Sequence, residues 1–228
     1  MILFDPAYML LILLPTALLT GYAQWKVRSA FGKWNAVANE RGLSGLQAAQ
    51  IIMQQANVPV GVAGVAGDLT DYYDPRDKSI HLSEGSTRRP SVAAIAVVAH
   101  EMGHAQQDKT GSPMLQLRAS LVPAATFGSQ LAPWLILAGF ILNMLALAWA
   151  GVLLFAGAVA FTVVTLPVEL DASQRARRFL IDFGMVTERE QPGVNDVLNA
   201  AALTYVAAAA AALLNLLYYL SLIRRERA

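Results

Sequence analysis

The chain has 228 residues, of which 56% are hydrophobic and 14% charged, with a formal net charge of +1 and a mean hydropathy of +0.45; that balance excludes an ordinary soluble domain and indicates an integral membrane protein. Near-neutrality, with no tract alternating Lys or Arg with aromatics, argues against nucleic acid as a partner. The sequence holds no cysteine, so disulfides and thiolate ligands are excluded and any metal site is restricted to imidazole nitrogen and carboxylate oxygen.

Residues 7–23 (AYMLLILLPTALLTGYA) suit a first span, since roughly 20 residues at 1.5 Å each cross a bilayer core. Pro15 should kink it. A cleaved signal peptide is the rival reading, because Gly21-Tyr22-Ala23 has small residues in a cleavage-like pattern. Only Asp5 stands ahead of the segment, however, where a signal peptide needs a basic region, so residues 1–23 are expected to be a retained anchor.

Residues 24–120 form the main extramembrane region. Gly42-Leu43-Ser44-Gly45 opens a helix through residue 56, closed by Asn57 and Pro59. The Val/Gly/Ala stretch 60–67 reads as a strand. Leu69 to Tyr73, the turn residues Asp74-Pro75-Arg76-Asp77 and Ser79-Ile80-His81-Leu82-Ser83 then read as a β-hairpin. Pro90-Ser91 starts a helix through about Gln107, whose apolar lead (SVAAIAVVA) predicts burial.

That helix carries His100-Glu101-Met102-Gly103-His104, an H-E-x-x-H run. Helical residues four apart are neighbours, so both imidazoles can share one metal ion while Glu101 stands beside them to handle a proton. The bland alternative is two satisfied histidines and a solvated glutamate; against it, two of the three histidines in the chain are spent here. Gly103 lies inside the helix at a cost of roughly 1 kcal/mol relative to Ala, which predicts close packing or substrate approach over that turn.

Residues 122–143 and 146–166 contain no ionisable side chain and are joined by a short connection, so residues 121–166 read as a transmembrane hairpin. Pro123 and Pro133 should bend its first helix, while Gly139, Gly151 and Gly157 allow close helix approach. Residues 167–196 follow as a polar helical region. Residues 197–228 are a fourth apolar helix, including the run Ala207 to Ala212, with a basic tail of Arg224, Arg225 and Arg227. The expected fold is a mainly α integral membrane protein of about four apolar helices with a small α+β region.

Lys26, Arg28 and Lys33 follow the first span, Arg118 precedes the second, and Arg175, Arg177 and Arg178 follow the third. By the positive-inside tendency these flanks face the cytoplasm. A fourth full crossing would then put the basic tail outside, against the same tendency, so the last helix is left as tilted, re-entrant or packed on the hairpin.

Catalytic zinc takes three protein ligands, which leaves one beyond His100 and His104. His81 on the hairpin is one candidate; a carboxylate in Pro167-Val168-Glu169-Leu170-Asp171-Ala172-Ser173 is the other. Glu169 and Asp171 could instead be first-turn charges favoured by the helix dipole, or partners of Arg175. Two spans separate His104 from these carboxylates and return the chain to the side it left.

The combination of Tyr73-Asp74-Pro75, Ile80-His81-Leu82-Ser83, Val92-Ala93-Ala94, Ala99-His100-Glu101-Met102-Gly103-His104-Ala105-Gln106-Gln107 and Glu169-Leu170-Asp171-Ala172-Ser173 resembles the YugP-like membrane neutral zinc metallopeptidases over most of the chain. Its pattern is also similar to that of the HtpX-like gluzincins. The resemblance implies a gluzincin-like metallopeptidase region, one zinc ion held by His100, His104 and Glu169, and Glu101 as the catalytic carboxylate. It implies a membrane-bound endopeptidase acting on protein or peptide substrates, membrane-proximal or misfolded, at the cytoplasmic face of the bacterial cell membrane and in contact with its lipid. Ser173 stands where HtpX-like enzymes carry an Asp supporting a metal-bound His, and Asp171 is the candidate to take that role.

In this chemistry zinc acidifies water toward a pKa of about 7 and polarises the scissile carbonyl while Glu101 transfers the proton to the leaving amine. Tyr72, Tyr73 and Arg175 are candidate oxyanion donors. A strand of the hairpin could bind an extended peptide by edge pairing. Two other readings compete. A non-catalytic membrane adaptor could keep zinc as a structural ion with His81 as fourth ligand. A site-2-type intramembrane protease would exploit the apolar approach to His100, but only about ten apolar residues precede the motif, too few for a span, and no L-D-G ligand motif follows. Substrate identity and oligomeric state are not encoded in any motif.

Overall fold

The computed structural model describes residues 6–225; Asp5, ahead of the first apolar segment, and Arg227 in the basic tail lie outside the described residues. The chain divides into two compact units, each assembled from separate stretches of sequence. Residues 24–115 and 168–203 form one, and the remainder, 1–23, 116–167 and 204–228, forms the other.

The second of these units is helical and apolar. A short helix α1 (Pro6–Tyr8) passes through a π-helical stretch, Met9–Leu13, into α2 (Leu14–Asn35). Pro15 explains the widened turn: it has no N–H to donate, and the Leu14 N–H reaches back five residues to the Met9 carbonyl. The Thr16 hydroxyl donates to the carbonyls of Ile12 at 2.7 Å and Leu13 at 3.1 Å, a polar side chain satisfied within its own helix.

Further along the chain are α3 (Gly45–Gln55), α4 (Glu84–Arg88), α5 (Val92–Lys109), α6 (Pro113–Ile141), α7 (Leu145–Asp182) and α8 (Gln191–Arg225). Pro123 and Pro133 both lie inside α6. A Cβ built on Gly139 would stand 2.5 Å from the Ala148 nitrogen, and one on Gly128 2.5 Å from the Leu154 carbonyl oxygen, so α6 and α7 approach too closely for any side chain at these positions. The end of α8 packs on this hairpin, with Ile223 buried among Ile136, Ala148 and Val152. Four helices, Met9–Asn35, Pro113–Ile141, Leu145–Asp182 and Gln191–Arg224, are long and apolar enough to cross a membrane. No more than 28% of the most apolar window of any of them is buried, and Leu10, Leu18, Phe127, Trp134, Ile141 and Leu153 are exposed. In water such a surface would be costly; in lipid it is the solvated face.

The other unit builds its core around α5. Ser91 caps this helix, accepting a hydrogen bond from the Ala94 N–H, so Pro90 lies one residue ahead of the cap. Val92 to Ala96, Val98, Ala99, Met102 and Ala105 are all buried, packed against Ile52 of α3, Phe179 and Leu180 of α7, and Val194 and Leu198 of α8. Beside them lie β1 (Gly61–Val65), β2 (Tyr72–Asp74) and β3 (Ser79–Ser83), in the spatial order β1-β3-β2. β2 and β3 form the expected antiparallel hairpin, with Tyr72 opposite His81, while β1 pairs with β3 in parallel, Ala63 opposite His81. β3, with its histidine, is therefore central, and β2 and β1 are the edges.

Helix α3 begins with a full capping box. The Gln47 N–H donates to the Ser44 hydroxyl oxygen at 3.3 Å, and the Gln47 carboxamide oxygen accepts from the Ser44 N–H at 2.9 Å. Replacing Ser44 with Ala should cost about 1 kcal/mol of local stability. Hydrogen exchange of the first-turn amides of α3 should accelerate by about five-fold, with the amides of α5 unchanged.

Candidate metal centre

Helix α5 places His100 and His104 one turn apart, with ring centroids 4.8 Å from each other and planes at 85°. Helix α7 brings Glu169 to them. One carboxylate oxygen, Oε2, lies 3.2 Å from His100 Nε2 and 3.4 Å from His104 Nε2. Tetrahedral zinc with ligands at about 2.0–2.1 Å requires ligand atoms about 3.3 Å apart, the edge of the tetrahedron. The two edges from Glu169, 3.2 Å and 3.4 Å, are close to that length, and the three residues are the one group of histidine and carboxylate side chains among the described residues that could hold a metal ion. Imidazole and carboxylate are the donors zinc accepts in the absence of thiolates.

The approach of the two helices depends on Gly103. A Cβ there would stand 2.5 Å from the carbonyl oxygen of Ala172, so α7 crosses α5 where α5 has no side chain. The crossing lies one helical turn beyond Glu169 and immediately before His104, which is why the carboxylate of one helix meets both imidazoles of the other.

Burial then sets the electrostatics. Glu169 is 2% exposed and His104 8%. Burial pushes the Glu101 carboxyl above the ordinary carboxylate range, a shift opposed by the positive potential of His100 and His104 and reinforced by Glu169 and Asp71. For His104 burial acts downward, but the hydrogen bond to Glu169 and the charges of Glu101 and Glu169 outweigh it and hold the imidazole above its usual value.

Both imidazoles are also held from behind. His100 Nδ1 lies 3.2 Å from the Ser173 hydroxyl, and His104 Nδ1 lies 3.0 Å from the Gln107 carboxamide oxygen. Gln107 in turn donates to the Val168 carbonyl and to Asp171, each at 2.8 Å. Ser173 thus stands beside His100, the place expected for Asp171, and Asp171 reaches His104 through Gln107. Arg175 donates to Asp171 at 2.8 Å and to the Gln106 carboxamide at 2.9 Å. Gln107 is the polar residue that the motif reading passed over. Its signal was its spacing, three residues after His104 on the same helical face.

The remaining candidates have other partners. Tyr73 donates its hydroxyl to Asp108 at 2.6 Å, and burial together with that carboxylate pushes its ionisation upward. Tyr72 is 43% exposed and stacks on His81 at 4.5 Å between ring centroids. His81 makes its own contacts on the hairpin, with Ser79 at 2.9 Å and Asp77 at 3.6 Å, and is not part of the His100, His104 and Glu169 group.

The family model described as "Putative neutral zinc metallopeptidase" matches residues 9–224. The chain belongs to this family. It is 41% identical over 210 residues to the "Putative membrane protease YugP" of Bacillus subtilis (strain 168), covering 92% of this chain and 93% of that protein. No solved structure matches it. Family membership agrees with the donor set: zinc is the metal the family name carries, and the three gathered residues are ligands that zinc takes.

The Gly103 contact leads to a direct test. Gly103→Ala should force α7 away from α5 despite the better helix propensity of alanine, and weaken zinc binding by roughly ten-fold or more, the scale of a disturbed ligand shell. Competition with a chromophoric chelator measures the affinity, and an unchanged helical circular dichroism spectrum would localise the effect to the crossing.

Proposed function

We propose that the chain is a membrane-anchored zinc endopeptidase of gluzincin type, with His100, His104 and Glu169 as metal ligands and Glu101 as the general base. The observation that carries this reading is the pair of 3.2 Å and 3.4 Å separations from one Glu169 oxygen to both imidazoles, with Glu101 buried beside them. When bound, zinc supplies Lewis acidity for acidifying water and polarising a peptide carbonyl. Glu101, buried beside the two imidazoles, would take the proton of the attacking water and pass it to the departing amine. The dry surroundings of the imidazoles strengthen each electrostatic contact made there. Strand β2 is an edge of its sheet, with Tyr72 exposed, so an extended peptide could lie along it through main-chain hydrogen bonds.

Three protein ligands is the number a catalytic zinc takes, whereas a closed structural site needs four. The separate contacts of His81 therefore weigh against a structural-zinc adaptor. Helix α5 is not among the helices long and apolar enough to span, which weighs against a site-2-type intramembrane protease.

The basic flanks Lys26, Arg28, Lys33, Arg118, Arg175, Arg177 and Arg178 support a site on the cytoplasmic side, acting on membrane-proximal or misfolded proteins. Purified Glu101→Gln in detergent should retain zinc and lose casein or model-peptide cleavage by at least about a hundred-fold, the scale of a lost general base. Undiminished cleavage sinks the assignment. His81→Ala should keep zinc, and loss of the metal from that variant would favour the structural-ion reading. Because the chain has no cysteine, Asp68→Cys gives one thiol on an exposed loop of the extramembrane unit. In intact cells it should resist a membrane-impermeant maleimide and react only after lysis.

A further inference from the structure

The carboxamide of Gln107 can be oriented from its neighbours alone. Two acceptors face one end of it, the Val168 carbonyl oxygen and the Asp171 carboxylate, each 2.8 Å away, and neither has a proton to give. That end must be the NH2. The oxygen is then the end facing His104 Nδ1 at 3.0 Å, and an oxygen without a proton needs a donor, so Nδ1 carries the hydrogen. With one proton held on Nδ1 by Gln107, a proton on Nε2, the atom 3.4 Å from Glu169, is the one a metal ion would displace, leaving that lone pair for the metal.

Gln107 is 1% exposed, so water cannot easily take over either contact. Asp171 is fixed by the Arg175 guanidinium, which is itself held by Gln106, the neighbour of Gln107 on α5. The order of contacts is Gln106, Arg175, Asp171, Gln107, His104. Each link has a defined donor and acceptor, and all of these side chains lie in the same compact unit.

We propose that Gln107 is a positioning residue for the metal centre: its carboxamide, polarised and locked by Asp171, fixes the His104 tautomer that presents Nε2 to the metal. The proposal rests on the metal-centre reading given above. It assigns to a neutral amide the task that a carboxylate or backbone carbonyl performs behind many metal-bound histidines. It also gives Asp171 and Arg175 a joint role that neither has as an isolated ion pair, since at a half-exposed site the pair alone contributes little.

The test is a double-mutant cycle on zinc affinity, measured by chelator competition on the full-length protein in detergent, with the absorption spectrum of the cobalt-substituted form as a second readout. Gln107→Met keeps the length and apolar volume of the side chain and removes donor and acceptor together. It should raise the zinc Kd by about 10- to 100-fold and alter the cobalt spectrum. Asp171→Ala should weaken binding less, and the double variant should be no weaker than Gln107→Met, because Asp171 acts through Gln107. Should Gln107→Met fail to fold, Gln107→Leu and Asp171→Asn supply the cycle. Wild-type affinity in the Gln107 variant, or independent and additive losses, overturns the proposal while leaving the metal centre standing. A wild-type chain that binds no zinc overturns both.

Discussion

The contact between Gly103 of α5 and the Ala172 carbonyl of α7 is the constraint on which the rest of the centre depends. His100 and His104 are adjacent by virtue of helical geometry alone, so the motif needs no tertiary structure to present two imidazoles. Glu169 has no such local reason to be there. It arrives because two helices meet backbone against side-chain-free backbone, and the separation so imposed is short enough for one carboxylate oxygen to stand within 3.4 Å of both rings. Glycine in a helix interior is intrinsically unfavourable, and here that local cost is offset by the interaction it permits.

Around this crossing the structure collects ionisable groups in an apolar setting. Glu101, His104 and Glu169 are all buried, while the start of the same helix α5 is lined with Val, Ala and Ile. Charges so placed are tolerated when paired and hydrogen-bonded. Ser173 and Gln107 behind the imidazoles supply the second half of that requirement. The neighbouring Asp108, which accepts from Tyr73 and pairs with Lys78, ties the hairpin to the end of α5.

Legibility in the sequence followed the range of the interaction. The capping box at Ser44, the β2–β3 hairpin and the helix carrying the histidine pair are written in contiguous residues, and each stands close to where its pattern placed it, whereas α6 starts at Pro113, well ahead of the apolar run 122–143 that announced it. The parallel pairing of β1 with β3 was not legible, because the partner of an edge strand is chosen by the whole sheet. The short helix α4, capped by Ser83, was too brief to show a period. At the centre, the motif displayed its two imidazoles openly, whereas the work of Gln107 depends on Val168 and Asp171, 61 and 64 positions away, and no local pattern encodes their meeting. Resemblance, and not spacing, singled out Glu169.

The unit that holds the histidine pair is woven from two stretches of chain, 24–115 and 168–203, with most of an apolar hairpin between them in sequence. During synthesis the histidine pair therefore emerges well before Glu169, and only the completed hairpin can deliver the carboxylate. A chain that ends before α7 has both histidines and lacks Glu169 together with the α7 and α8 residues that pack on α5. The interruption of the unit thus orders its assembly: the group of His100, His104 and Glu169 comes into being only after the apolar hairpin between its two halves has been made.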